Sequence, residues 1–345
     1  MTLGHEVTVI YSRGRVEPRF EREIAAIPLK ALEASTMRRA VGPWDLAAAR
    51  ELKVMIDRLG PFDILHAHSS KAGALLRLVA PSKTRVVYTP HAFRTMDPTM
   101  GRAGRLVYGA IEWALAAWRT SAVISVAPEE ADHARSLGIP DRKVRTVING
   151  VTPVPANDRI VARGRLGIAP DDIVVGFVGR LCEQKDPVRF SQAIAIANAR
   201  NPCIRGVILG DGELEADVRS AGGAAVQVHA GRNAVDDLAA FDLFAITSRY
   251  EAMPYVLLEA LQAGLPILST KVGGASVAIR DGQNGRVVPV NATPDRLAEE
   301  IERLVDPVVR TAMSDVSHQL ATTLTAGAMA QQTVNVYRQC LAGRQ

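Results

Sequence analysis

The sequence predicts an α/β protein made of two doubly wound parallel-sheet domains. Two observations support this fold class. Short apolar runs alternate with segments of helical periodicity, and the alternation breaks at Asn149–Pro155 before it resumes. This stretch, NGVTPVP, has an Asn-Gly pair and two prolines, which is typical of a turn or linker. The length of 345 residues also suits two domains, at ~150 residues each.

The first predicted domain covers residues 1–150. Its buried strands are short apolar runs, expected at Glu6–Tyr11, Asp63–His66, Arg85–Thr89, Ala122–Val126 and Val144–Ile148. Helical periodicity lies between these runs, at Trp44–Leu59, Lys71–Ala80, Arg102–Trp118 and Pro128–Leu137. Strands that alternate with helices in this way form a parallel sheet.

The second predicted domain covers residues 151–320, and a terminal segment follows over 321–345. Strands are expected at Ile173–Val178, Gly206–Leu209, Val226–His229, Leu243–Thr247, Pro266–Ser269 and Arg286–Val288. Helices are expected at Asp186–Ala199, Glu213–Ala221 and Pro254–Ala263, with further helices over Pro294–Leu341. Two such domains enclose a cleft, and ligands of open α/β sheets bind beyond the carboxyl ends of the strands.

Composition and charge limit the classes of partner. Hydrophobic residues make up 48% of the chain and charged residues 22%, as in a soluble globular protein. The cysteines, Cys182, Cys203 and Cys340, are scattered, which favours a reducing cytoplasm. Residues 1–150 hold 22 Lys and Arg against 15 Asp and Glu. We expect either an anionic partner or a solvated basic surface there. Nucleic acid is disfavoured because the charge is diluted and no aromatic RNA-binding motif accompanies it.

The most informative segment is SRYEAMPYVLLEA, at Ser248–Ala260. Pro254 suits the first turn of a helix, so Glu251 would precede that helix and Glu259 would lie within it. A helix start binds phosphate through its open N–H groups, here expected at Tyr255, Val256 and Leu257. The two carboxylates could then hold hydroxyl groups on either side of a diphosphate, as in a nucleotide sugar. Alternatively, they are a helix-capping acid and an ordinary helical glutamate.

Two glycine-containing loops add candidate donor-binding residues. In GFVGRLCEQKDP, Gly179 permits close backbone approach, while Arg180 and Lys185 could bind one anion. As an isolated pair, these two would instead be solvated surface cations. The turn GDGE would bring backbone near a base or ribose, through Gly210, Asp211 and Gly212. Because this turn is not a GxGxxG fingerprint, a nicotinamide-dependent dehydrogenase is disfavoured.

Histidines mark the cleft edge of the first domain. His91 follows a predicted strand and could bind a sugar hydroxyl or the acceptor, or it could be structural. His66 and His68 have HxH spacing, but no further ligand group joins them, so we interpret them as a pair at a sheet end. The chain has no Asp-x-Asp pair to hold a divalent metal. Neutralising a diphosphate would therefore fall to Arg180, Lys185 and the helix start.

Together, these segments resemble glycosyltransferase family 4, the retaining GT-B enzymes. The resemblance rests on an ordered set of motifs, namely GHEVTVI, DILHAHSSKAG, VVYTPHAF, VRTVINGV, GFVGRLCEQKD, LGDGE, SRYEAMPYVLLEALQAGLPIL and VGG…DGQNGRVVP. EAMPYVLLE matches the family's pair of glutamates separated by seven residues. The resemblance implies a GT-B fold, in which two Rossmann-like domains face a cleft.

The resemblance also implies residue roles. Glu251 would contact hydroxyls of the donor sugar, Glu259 would hold the ribose, Arg180 and Lys185 would bind the diphosphate, and His91 would lie beside the transferred sugar. A hexose-type sugar would move from a nucleotide-diphosphate sugar to a lipid-linked or saccharide acceptor, with retention and without a metal or cofactor. The leaving phosphate would help to deprotonate the acceptor. The final helices would brace the first domain.

Two departures from the family pattern leave other functions open. GHEVTVI begins at Gly4, so we expect the family's first strand and Gly-rich loop to be absent. The VGG segment continues without an acidic residue near Ser276–Val277, where many relatives carry one. The alternatives are a nucleotide-sugar epimerase on the same fold and a truncated, non-catalytic nucleotide-sugar binder.

The apolar helix predicted at Arg102–Trp118 affects where in the cell we expect the protein to act. Arg102, Arg105 and Arg119 lie near its ends, so the helix could rest on lipid. It could instead pack in the domain core. We expect a cytoplasmic enzyme, with peripheral contact to the inner face of the membrane under the first alternative.

Overall fold

The computed structural model describes residues 4–343, except residues 13, 15, 17, 39 and 156, and confirms the α/β fold class. Within this part of the chain, the strands form three wholly parallel sheets. The strands are β1 Thr8–Tyr11, β2 Lys30–Glu33, β3 Ile64–His68, β4 Arg85–Thr89, β5 Ala122–Ser125, β6 Val144–Thr146, β7 Ile173–Val178, β8 Ile204–Leu209, β9 Val226–His229, β10 Leu243–Ile246, β11 Ile267–Thr270 and β12 Gly285–Val288.

Helices connect these strands and finish the chain. They are α1 Pro18–Ala25, α2 Asp45–Leu59, α3 Ser70–Val79, α4 Arg102–Arg119, α5 Pro128–Ser136, α6 Arg159–Leu166, α7 Pro187–Arg200, α8 Glu215–Gly222, α9 Ala234–Asp237, α10 Tyr255–Gln262, α11 Ala275–Ala278, α12 Pro294–Leu304, α13 Pro307–Ala321 and α14 Ala326–Ala342.

The N-terminal domain has a four-stranded sheet in the order β3-β4-β5-β6, while β1 and β2 pair in a separate sheet. Strand β2 was not predicted. It has only four residues, KALE, and two of them are exposed, so it lacks the apolar run that marks a buried strand. The preceding α1 was missed as well.

The C-terminal domain has a six-stranded sheet in the order β12-β11-β10-β7-β8-β9. Strands β7 and β10 are central neighbours, and Leu243 pairs with Val175. Both residues are fully buried, because helices cover the two faces of a doubly wound sheet. All six strands are parallel, so their carboxyl ends meet at one edge.

The terminal helix α14 returns to the N-terminal domain. Val336 and Tyr337 pack with Val87 and Ile124 of the first sheet. At the start of this return, a Cβ on Gly150 would lie 2.1 Å from the Thr325 carbonyl oxygen. Only glycine therefore fits at position 150, because any side chain would push the two segments apart.

Helix α4 has two contrasting faces. On the inner face, the buried Glu112 accepts hydrogen bonds from Arg77 Nη2 at 2.8 Å and from the Tyr88 hydroxyl at 3.0 Å. The outer face is apolar and exposed, with Leu106 at 75% and Trp118 at 76% exposure. The inner face thus packs in the domain core, as one alternative expected. The outer face presents the apolar surface that contact with lipid would need. Among the described helices, none combines the length and the hydrophobicity of a transmembrane span.

Candidate active site

Two of the predicted site residues bind each other. Lys185 lies in the loop after β7, and Glu251 lies in the loop after β10. Lys185 Nζ is 2.6 Å from Glu251 Oε1, and the same oxygen accepts a hydrogen bond from Ser248 Oγ at 2.8 Å. Glu251 is only 8% exposed. The ion pair compensates the burial of this carboxylate and places both groups at the carboxyl edge of the sheet.

The predicted glycines bring the loops after β7 and β8 into contact. A Cβ on Gly210 would lie 1.9 Å from the Gly179 carbonyl oxygen, and one on Gly212 would lie 2.5 Å from the Leu181 carbonyl oxygen. The Leu181 N–H also donates to the Asp211 carbonyl at 2.7 Å. Gly179, Gly210 and Gly212 therefore let two backbones pack closely and shape the floor of the site.

Arg180 lies in the same region, directly after Gly179, and its side chain is exposed. No carboxylate of the described residues pairs with it. Unlike Lys185, Arg180 therefore presents its charge to solvent, where a guanidinium can bind a phosphate with two hydrogen bonds.

The start of α10 differs in detail from the prediction. Pro254 is the N-cap residue rather than a residue of the first turn. The Leu257 N–H donates to the Pro254 carbonyl at 3.1 Å, a bond that tightens the first turn and removes this donor. Within the described residues, the N–H groups that stay without a backbone acceptor at this helix start are those of Tyr255 and Val256. Glu259 lies four residues after Tyr255 and thus on the same helix face.

His91 lies in a left-handed turn after β4. The φ angles of His91 and Ala92 are +52° and +78°, which is uncommon for residues with a side chain. The buried Glu130 holds this turn: Oε1 accepts from the Ala92 N–H at 2.6 Å, and Oε2 accepts from the Val126 N–H at 2.7 Å. Burial raises the pKa of Glu130 to about 7, against the effect of these two hydrogen bonds.

A chain of side chains connects His91 to the terminal helix. His91 Nε2 is 2.9 Å from His68 Nδ1, and the His68 ring lies 4.2 Å from the His66 ring. His66 is hydrogen-bonded to the Tyr337 hydroxyl at 2.6 Å and to Thr89 Oγ1 at 2.8 Å. Burial, followed by the charge of His68, lowers the pKa of His91 to about 4. At neutral pH, His91 is therefore an uncharged hydrogen-bonding group.

The two halves of the site meet across the domain boundary. Ala92, beside His91, packs against the apolar cluster that contains Ala252 and Met253, which follow Glu251. Asn149 Nδ2 donates to the Met253 carbonyl at 3.0 Å. The structure thus brings the turn of His91 and the loop of Glu251 together at the domain boundary.

The VGG segment lacks the family's acidic residue near Ser276–Val277, but a glutamate of the other domain contacts this segment. Glu129 Oε1 accepts a hydrogen bond from Ser276 Oγ at 2.5 Å, and Oε2 accepts from the Gly274 N–H at 3.3 Å. A carboxylate of α5 therefore lies beside the VGG turn. Among the described residues, no group of three or more His, Cys, Asp or Glu side chains could hold a metal ion.

Comparisons with known proteins identify the family. The family model for Glycosyltransferase Family 4 matches residues 1–154, and the model for glycosyl transferases group 1 matches residues 158–311. An Escherichia coli UDP-Gal:alpha-D-GlcNAc-diphosphoundecaprenol alpha-1,3-galactosyltransferase is 30% identical, over 73% of this chain and 69% of its own. The chain belongs to glycosyltransferase family 4. The putative glycosyltransferase EpsD of Bacillus subtilis is 26% identical over 88% of this chain and 80% of its own.

Solved structures confirm the GT-B fold of this family 4 glycosyltransferase. Sucrose-phosphate synthase of Thermosynechococcus elongatus has a TM-score of 0.80 at 18% identity, with 99% of this chain and 96% of that chain covered. HepE of Anabaena, in complex with UDP-glucose, has a TM-score of 0.79 at 18% identity, with 96% and 99% covered.

Sequence reasoning missed several residues that shape the site of this glycosyltransferase. Glu129 and Glu130 open α5, where acids are expected for helix stability alone. Tyr337 lies in a polar stretch of the terminal helix and carries no local signal. The helical periodicity of that segment predicted a helix, but not which of its residues reaches His66.

Proposed function

We propose that this glycosyltransferase transfers a hexose-type sugar from a UDP-linked donor, with retention and without a metal ion. The pairing of Lys185 with Glu251 is the observation that carries the proposal, since it places a phosphate-binding cation beside a carboxylate suited to sugar hydroxyls. Uridine as the base is supported by the name of the Escherichia coli relative and by the UDP-glucose bound to HepE.

The proposed mechanism uses charge rather than a protein nucleophile. The bond between the anomeric carbon and the diphosphate oxygen breaks while a bond to the acceptor oxygen forms on the same face. The acceptor proton moves to the leaving phosphate. Arg180, Lys185 and the open N–H groups at the start of α10 stabilise the growing negative charge, more strongly in the transition state than in the ground state. These groups take the place of a metal ion.

We propose a lipid-linked or saccharide acceptor, in polysaccharide or glycolipid assembly at the inner face of the cytoplasmic membrane. The name of the Escherichia coli relative describes an acceptor of the lipid-diphosphate class. The outer face of α4 supports peripheral membrane contact, because Leu106, Val107, Trp113 and Trp118 are all at least 45% exposed. Arg102 and Arg105, both exposed at the start of the helix, would face anionic headgroups.

Product analysis tests the transfer. Purified protein is incubated with UDP-galactose or UDP-glucose, with and without a lipid-diphosphate sugar acceptor, and products are resolved by NMR. The expected product is an α-glycoside that forms only with acceptor and is lost in Glu251→Gln. An epimerised nucleotide sugar formed without acceptor would indicate the epimerase. Binding without turnover would indicate a non-catalytic binder.

Vesicle flotation tests the membrane contact separately. We expect wild-type protein to float with phosphatidylglycerol vesicles at low salt, and Leu106→Ser/Val107→Ser to float much less. Ile160→Ser/Val161→Ser is a matched control, because these exposed apolar residues of α6 belong to the other domain. Equal flotation of all three proteins would exclude the face of α4 as the contact surface.

A further inference from the structure

A pocket apart from the candidate active site lies at the amino ends of β4, β5 and β6, and it has a volume of about 510 Å³. Five basic side chains line the pocket, those of Arg85, Arg119, Arg142, Lys143 and Arg145, and none of the described residues that line it is acidic. We call it the basic pocket. His91 follows the opposite end of β4. Because that strand has five residues, at ~3.3 Å each, the pocket is separate from the catalytic cleft.

The cations of the basic pocket are held by neutral groups. Arg145 Nε donates to the Gln339 side chain at 3.2 Å. Lys143 Nζ donates to the carbonyls of Ala116 at 2.8 Å and Ala117 at 2.7 Å. Arg119 likewise binds backbone carbonyls. None of the five basic residues pairs with a carboxylate in the described part of the chain. Their positive charges are therefore positioned but not neutralised.

Two further features show that the positive charge in the basic pocket is incompletely compensated. The Nε atom of Arg85 is buried and finds no hydrogen-bond partner among the described residues, while its Nη2 donates to the Gly343 carbonyl at 3.3 Å. A buried N–H group without a partner is energetically unfavourable. In addition, burial and then the charge of Arg142 lower the pKa of Lys143, a sign of repulsion between neighbouring cations. A bound anion would relieve the repulsion between Lys143 and Arg142.

We infer that the basic pocket binds a phosphate-bearing ligand. A phosphate group offers several acceptor oxygens and about two negative charges, which suits a cluster of arginines with forked donors. The pocket volume leaves room for an organic group beside the phosphate, within the usual range of ~300–1,000 Å³ for ligand pockets. Trp118 lines the pocket, and its ring lies 6.0 Å from the exposed ring of Trp113. The ligand is a lipid headgroup or a soluble phosphate ester. The inference does not depend on the proposed transferase reaction.

Titration calorimetry with inorganic pyrophosphate tests the basic pocket. The pocket variant is Arg142→Gln/Arg145→Gln, and the matched control is Arg50→Gln/Arg58→Gln, which changes two exposed arginines of α2 outside the pocket. We expect the pocket variant to bind pyrophosphate at least ~10-fold more weakly than wild type, which is the loss of one charge-assisted contact or more. The control variant should bind as wild type does.

Two further variants keep the result interpretable. Lys185→Ala weakens the proposed donor site, so pyrophosphate binding that keeps its wild-type affinity in this variant belongs to the basic pocket. The single change Arg142→Gln removes an exposed side chain for which the described residues provide no hydrogen-bond partner. This variant should melt at the wild-type temperature and still weaken binding.

Flotation with phosphatidylglycerol vesicles distinguishes the two ligand sources. Flotation that is lost in the pocket variant and displaced by pyrophosphate assigns a lipid headgroup. Calorimetric binding without such flotation assigns a soluble phosphate ester. Both outcomes support the pocket. Absence of pyrophosphate binding to wild type and to Lys185→Ala, or equal affinity in wild type and the pocket variant, would overturn the inference.

Discussion

Lys185 Nζ lies 2.6 Å from Glu251 Oε1, so one ion pair connects the loops that follow the central strands β7 and β10. The pair has two consequences. Lys185 stabilises the fold by compensating a buried carboxylate, and it provides a cation where the donor diphosphate is expected. Substitutions at the two positions should therefore affect binding and turnover differently.

Lys185→Ala should weaken UDP binding ~10-fold, since it removes one charge-assisted contact to the diphosphate. It should also lower the free energy of unfolding by about 2 kcal/mol, because Glu251 stays buried without its cation.

Glu251→Gln should leave UDP affinity within about twofold but reduce transfer at least ~100-fold, because Glu251 is proposed to bind the donor sugar rather than the diphosphate. UDP titration and initial rates separate these effects. Loss of UDP affinity in Glu251→Gln would contradict the assignment.

Gly210→Ala should destabilise the donor site. The new methyl group would lie 1.9 Å from the Gly179 carbonyl oxygen, so the loops after β7 and β8 must separate. We expect a loss of about 2–3 kcal/mol and weaker UDP binding, measured by denaturant unfolding and titration. Gly164→Ala is the control, because nothing lies within 4 Å of a Cβ there and alanine should stabilise helix α6 by ~0.5–1 kcal/mol. Equal stability of the two variants would show that the loops adapt.

Glu130→Ala should loosen the turn that carries His91. It leaves the N–H groups of Ala92 and Val126 without an acceptor, which we expect to cost about 3 kcal/mol of unfolding free energy together with a reduced transfer rate. Asp132→Ala, on the same helix, is the control. Its side chain is 77% exposed in a surface ion pair, so its removal should change stability by less than ~1 kcal/mol. Wild-type stability of Glu130→Ala would mean that the turn does not need this carboxylate.

His91 should make the protein less stable in acid. Its pKa is about 4 in the folded state, against ~6.5 in an unfolded chain. Between these values the unfolded chain binds a proton that the folded state excludes, so the stability contributed by His91 is lost as pH falls from ~6.5 to ~4. His91→Asn, which also tolerates a positive φ, should reduce that loss by about 2 kcal/mol. Urea unfolding at pH 7.5 and 4.5 measures the loss of unfolding free energy in each protein. Identical losses in wild type and His91→Asn would contradict the lowered pKa of His91.

Much of the candidate site could be predicted from sequence because parallel sheets place their strand ends together. Lys185 and Glu251 each follow a buried apolar run, and both runs proved to be neighbouring strands. The glycines were also recognisable, since close backbone contact excludes a side chain. The ion pair between Lys185 and Glu251 was not predicted. Nor was the hydrogen bond from the Leu257 N–H to the Pro254 carbonyl, which closes the first turn of α10.

The sequence by itself determined all the described strands except β2, the main helices, the two-domain α/β architecture and the loops that carry the donor-side residues. These features follow from periodicity and turn chemistry over a few neighbouring residues. Only the tertiary structure decided which distant groups support them. Glu130 reaches Ala92 across 38 residues, Glu129 reaches Ser276 across 147, and His66 reaches Tyr337 across 271. Such contacts depend on how helices and sheets pack, and no local pattern encodes the partner that packing supplies.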